Sequence, residues 1–87
     1  MPAGFPGIPG EAIITRLDAP GGGCWYITNY GGVAAVGGAS FRGNPLQNGN
    51  EGRIGPGYEN PPRYIVSAYT SGPGYVMVSN RNETYRY

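Results

Sequence analysis

Histidine and lysine are absent from this 87-residue chain, and cysteine occurs once. Without an imidazole, Cys24 has no ordinary general base, so it reads as a half-buried thiol rather than a nucleophile. A lone cysteine closes no internal disulfide, and with no histidine beside it there is no zinc set, so neither metal nor cofactor is expected. No apolar run approaches the roughly 20 residues of a membrane span, and Met1-Pro2-Ala3-Gly4 lacks the basic and apolar regions of a secretory signal. These features predict a soluble chain made in a reducing compartment. The six basic side chains, all arginine, nearly balance five acidic ones to give a net charge of +1, which supplies no drive towards nucleic acid or an acidic membrane.

Helical periodicity with caps is also missing. What is present is 17 glycines, 9 prolines and 8 tyrosines, with β-branched and aromatic residues in short alternating runs separated by Gly, Pro and Asn. This is the pattern of a small all-β domain. Residues 12–18, 24–29 and 33–36 read as one antiparallel meander. Residues 63–70, 74–80 and 83–87 read as a second, with turns at Ala19-Pro20-Gly21-Gly22-Gly23, Asn29-Tyr30-Gly31-Gly32, Ser71-Gly72-Pro73-Gly74 and Arg81-Asn82. An irregular connection over 45–62 joins units of about 12–44 and 63–87, and a short strand is expected near Ser40 to Arg42.

The two meanders superpose with a 51-residue shift that aligns Ile14 with Ile65, Gly21 with Gly72, Gly23 with Gly74 and Asn29 with Asn80. Under this shift Trp25 and Ile27 match Val76 and Val78, while Ala34 and Val36 match Tyr85 and Tyr87. Matching turns and strand parity point to an internal repeat. Trp25, on a face with Ile27, is expected as a core anchor. Tyr85 and Tyr87 are expected beside an unpaired strand edge that would serve as an interface.

The N-terminal residues 1–11 read as an extended arm, since Gly4 to Ala12 spell three Gly-X-Y triplets. Three triplets are too few for a collagen helix, which accumulates stability over many. Pro6 and Pro9 fix their own φ near −65° and bias Phe5 and Ile8 to extended geometry. Phe5, Pro6, Ile8 and Pro9 are therefore expected to form a stiff docking arm whose apolar side chains need a pocket on a neighbour.

The remaining candidate chemistries are weak. Glu11, Asp18, Glu51, Glu59 and Glu83 fall at strand ends or loops, as solvated charges do. Gly21-Gly22-Gly23 precedes a strand and lacks a lysine, so it reads as a turn and not a phosphate cradle. Tyrosines and Trp25 could cap a small core, meet a protein partner or stack on a sugar.

Gly23, Trp25, Gly31-Gly32-Val33, Gly37, Phe41 and Gly43 give residues 23–44 a specific likeness. The stretch resembles one unit of a tandem repeat of cell-wall-associated proteins of GC-rich Gram-positive bacteria and of virion proteins of their phages, whose units look like β-propeller blades. Residues 72–87 match the first part of a second unit, with Arg81-Asn82-Glu83 in place of the Gly-Gly turn. The resemblance implies a surface-associated, blade-like meander and supplies no catalytic residues. Two blades close no ring alone, so identical chains are expected to complete one, with a trimer of six blades as the simplest form. The expectation is thus a non-enzymatic structural protein of a phage virion surface, a capsid decoration or small tail component made in the host cytoplasm. It would work by homo-oligomerisation and docking on other virion proteins. A lectin-like module binding cell-wall or surface glycans is the alternative.

Overall fold

A computed structural model describes residues 10–45, 54, 55, 58 and 60–87. Six strands are present, β1 (Ile13–Asp18), β2 (Cys24–Thr28), β3 (Val33–Val36), β4 (Ile65–Ser71), β5 (Gly74–Ser79) and β6 (Thr84–Arg86). They form two antiparallel three-stranded sheets, β1-β2-β3 and β4-β5-β6, so the all-β meander architecture is as its sequence pattern indicates. Among the described residues there is no helix, and none is long and apolar enough to cross a membrane. No strand forms at Ser40 to Arg42, which is irregular backbone. These residues instead bond to core side chains, as described below. Phe5, Pro6, Ile8 and Pro9, the expected docking arm, lie outside the described residues. Gly10 and Glu11, read from the sequence as arm, are tied to the first sheet: the Gly10 carbonyl accepts from Asn29 Nδ2 at 3.0 Å and Glu11 Oε2 from Thr28 Oγ1 at 2.7 Å.

The two sheets are wired alike. Ile13 pairs with Thr28 and Ile65 with Ser79, and in each unit the register then slips by one residue, at Ile14 and at Val66. A β-bulge sits at both places, and its extra residue is pushed out to solvent: Ile14 is 38% and Val66 56% exposed. Ile13, not Ile14, is thus the counterpart of Ile65, because one more residue separates the pair Asp18 and Cys24 than separates its counterpart Thr70 and Tyr75. From β2 and β5 onward the 51-residue shift holds: Trp25 pairs with Ala35 as Val76 pairs with Arg86, and Ile27 with Val33 as Val78 with Thr84.

Gly23 and Gly74 show why two of the sequence identities exist. They occupy matching places at the head of each middle strand, where the end of the third strand crosses close by. A Cβ on Gly23 would run into the Val36 carbonyl, and one on Gly74 into the Tyr87 carbonyl. Only glycine lets these backbones meet.

The faces are used differently. Residues paired across strands share a face, so Leu17, Trp25 and Ala35 lie together, as do Thr15, Ile27 and Val33. This is the inner face of the first sheet. In the second sheet the inner face carries Ala68, Met77 and Tyr85 in one row, with Tyr75 and Tyr87 in the next. The buried cluster joins Trp25 and Ile27 to Ile65, Tyr75, Met77 and Tyr85, with Ile54 from the connection filling between them. Trp25 and Ile27 match Val76 and Val78 by position, yet Val76 and Val78 belong to the other face of their sheet.

Candidate interaction surface

At the centre of the core, the Trp25 and Tyr75 rings meet edge to face with centroids 4.8 Å apart. The polar tips of both rings are satisfied by the segment that was expected to be a strand. Trp25 Nε1 donates to the Ser40 carbonyl at 2.8 Å, and Tyr75 Oη donates to the Gly43 carbonyl at 2.6 Å while accepting from the Arg42 amide at 3.1 Å. Burial pushes the Tyr75 hydroxyl above its ordinary pKa, which keeps it protonated as a donor. Residues 40–43 therefore act as a polar seam over an aromatic core, a role no periodicity in the sequence signals.

Tyr85 and Tyr87 correct the expectation of an exposed tyrosine edge. β6 is an edge strand, but Tyr85 is only 9% exposed within the core, and the Tyr87 ring packs on Tyr75 with centroids 5.9 Å apart. Their side chains turn inward because this sheet buries the face that holds Tyr75 and Met77. Trp25, at 1% exposure, sits in the core and offers no open ring.

Each unit closes its β2–β3 type turn with the same clamp. In the first, Thr28 Oγ1 accepts from the amides of Tyr30 and Gly32 at 3.3 and 2.8 Å and donates to Glu11. In the second, Ser79 Oγ accepts from the amides of Arg81 and Glu83 at 3.0 and 3.2 Å and donates to Glu83 Oε1 at 2.9 Å. The following asparagines do identical work. Asn29 Oδ1 accepts from the Ala12 amide and Asn80 Oδ1 from the Tyr64 amide, while their amide groups donate to the carbonyls of Gly10 and Pro62. The Asn29 and Asn80 identity is thus a strand-to-turn tie, legible in the sequence only as a turn signal.

The carboxylates accordingly have structural partners. Burial raises the Glu83 pKa, but hydrogen bonds from Ser79, the charge of Arg63 with Nε at 2.7 Å, and the Tyr85 hydroxyl together outweigh it and hold the carboxyl below its ordinary value. Asp18 pairs with Arg16 at 2.9 Å on the surface. Glu51 and Glu59 lie outside the described residues. No group of three potential metal ligands occurs among the described residues.

A shallow cleft of about 600 Å³ lies where the β1–β2 and β4–β5 turns approach each other, bounded by Ala19, Pro20, Ala39, Arg42 and Pro73. Trp25 backs it but is closed off by its own packing.

Apolar and aromatic groups open to solvent lie instead on the outward faces and at the bulges. On the first sheet, the outer face pairs Arg16 with Tyr26 and Ala34, and Asp18 with Cys24 and Val36. On the second, it pairs Tyr69 with Val76 and Arg86, and Ser67 with Val78 and Thr84. Val36 is 40% and Tyr69 46% exposed, with Phe41 and the bulge residues Ile14 and Val66 also open. On these faces the open apolar groups lie on the edge strands, Val36 on β3 and Tyr69 on β4, while Val76 at the centre of the second is closed off at 1% exposure. No family model matches the chain, and neither curated proteins nor solved structures provide a match.

Proposed function

We propose that this chain is a non-enzymatic structural protein of a phage virion surface, a capsid decoration or small tail component that works by self-association and docking on other virion proteins. The observation that carries the binding part is the set of large apolar and aromatic side chains open to solvent, among them Ile14, Val36 and Phe41 in the first unit and Val66 and Tyr69 in the second. The resemblance of residues 23–44 to repeats of virion and cell-wall-associated proteins supports the setting. A trimer is the simplest assembly in this reading. The segment with Phe5, Pro6, Ile8 and Pro9 adds an arm for the docking partner. Light scattering of the purified protein at micromolar concentration is expected to give a mass near three chains, and mass spectrometry of purified virions a fixed stoichiometry. A stable, well-folded monomer that is also absent from particles would end this reading.

The cleft beside Arg42 favours a second reading, a glycan-binding module. It provides a guanidinium and backbone carbonyls, but Trp25 is not open to stack on a sugar ring. Saturable binding of cell-wall glycan by the isolated protein, lost in Arg42→Ala, would support that reading instead.

A further inference from the structure

The two sheets end in differently protected edges. β1 packs against β4, so these edges lie along one side of the molecule, and β3 and β6 are the edges left over. In the first sheet the Thr28 amide donates to the Gly32 carbonyl at 2.9 Å, and antiparallel bonds alternate from that pair. Ala34 and Val36 therefore bond to Tyr26 and Cys24, while the N–H and C=O groups of Val33 and Ala35 point away from β2. None of these outward groups has a hydrogen-bond partner among the described residues. By the same alternation, those of Thr84 and Arg86 point away from β5.

Charged side chains guard such edges against pairing with another chain. β6 carries Arg86 and follows Arg81 and Glu83, and β1 carries the exposed pair of Arg16 and Asp18. β3 reads Val-Ala-Ala-Val between Gly31-Gly32 and Gly37-Gly38, and alone among the edge strands it has no polar side chain. We infer that β3 is a docking edge whose partner is β3 of a second copy, antiparallel to it and related by a two-fold axis at Ala34. An axis at Val33 or Ala35 would oppose an outward-bonding residue to Gly31 or Gly37, whose φ of 85° and 65° leave strand geometry. With the axis at Ala34, Val33 and Ala35 exchange both bonds with Ala35 and Val33 of the copy. The occupant is another copy because the edge fits itself: Val33 stands opposite Ala35, Val36 opposite Gly32, and Ala34 opposite Ala34, so no two bulky groups meet. The first sheets of two copies thus become one continuous sheet. This rests on the self-association proposed above and extends it. A strand of 4 residues makes a weak contact, which joins assemblies where chains are crowded rather than building the assembly itself.

Ala34 and its copy form a non-hydrogen-bonded pair, with Cα atoms about 4.5 Å apart, within the reach of a disulfide. C24S/A34C, oxidised at high protein concentration, is therefore expected to link to itself about tenfold faster than C24S/T84C, whose thiol is exposed on the guarded edge β6. Wild type, with Cys24 one strand further from the axis in each copy, is expected to link no faster than that control. Ala34→Lys and Ala34→Glu test the same axis without a thiol, and circular dichroism checks that each variant folds. Each is expected to remain unpaired alone and to pair with the other when mixed, by native mass spectrometry. Linking of C24S/A34C no faster than C24S/T84C, or charged variants that fail to select each other, would overturn the β3 contact while leaving a trimer by light scattering intact. A monomer by light scattering whose C24S/A34C form still links rapidly would instead uphold the β3 contact and end the trimer.

Discussion

The two halves of this molecule differ in what they bury far more than in how they are wired. Both have a bulge after the first isoleucine pair, a glycine where the third strand crosses, and a hydroxyl-asparagine clamp at the second turn. Yet the first sheet buries the face of Trp25 and the second the face of Tyr75 and Met77. Hydrogen bonding fixes a strand's partner and register, whereas side-chain volume decides which of two available faces becomes core. Position for position, the first sheet puts its bulk at Trp25 and has Ala34 and Val36 on the opposite face. The second has Val76 at the tryptophan position and Tyr85 and Tyr87 where the first has small residues.

That comparison breaks most sharply at Trp25 and its counterpart. Trp25→Ala removes the ring at the centre of the shared core and is expected to cost about 3–5 kcal/mol. Val76→Ala, at the same strand position but on the other face, deletes two carbons and is expected to cost about 1.5 kcal/mol. Denaturant titration of both variants measures the difference, and equal losses would mean that the faces are not used as described.

The clamps are expected to behave alike, which sharpens the comparison. Thr28→Ala leaves the Tyr30 and Gly32 amides without their acceptor, and Ser79→Ala does the same to Arg81 and Glu83. Each substitution is expected to cost about 1–3 kcal/mol, and Thr28→Ser should retain most of the stability because the hydroxyl remains. A silent Thr28→Ala beside a damaging Ser79→Ala would show that the first turn is held by something other than its clamp.

The smallest expected effect separates the units by pH. The Glu83 carboxyl is held below its ordinary value once burial is outweighed by Ser79, Arg63 and Tyr85. Its contribution is therefore present above the unfolded-state pKa and is lost as pH falls through the depressed folded value. With the side chain about 40% exposed, solvent screening keeps the effect under about 1 kcal/mol. Melting curves should show Glu83→Gln destabilised at neutral pH and indistinguishable from wild type in strong acid. A deficit that persists in acid would assign Glu83 a role that does not depend on its charge.

Much of the wiring was legible in the sequence, because alternation and Gly, Pro and Asn punctuation report local geometry. All six strands and their turns follow from it, as does the pairing of Trp25 with Val76 under the repeat. The faces were harder. Tyr85 and Tyr87 read as an exposed edge because parity says which residues share a face but not which face is covered, and both faces of each sheet carry apolar residues. Their bulk, set against Ala34 and Val36, was the available signal. The one-residue offset at Ile13 was hidden because a bulge leaves no compositional mark. The seam at 40–43 and the asparagine ties were hidden because their partners lie 15 or more residues away in the chain.

The position of the clamp's carboxylate also bears on the order in which the halves can assemble. In the second unit Glu83 lies four residues from Ser79, while in the first Glu11 lies 17 residues from Thr28. Ring-closure entropy rises with the logarithm of the separation, so the longer closure costs about 1.3 kcal/mol more. The second unit can lock its turn within a single hairpin, before any other part of the chain has found its place. The first must wait until β1 has returned alongside β2. A carboxylate relocated from a strand's approach into the turn itself thereby converts a long-range tether into a local nucleation element, and gives two similarly wired sheets different places in the folding sequence.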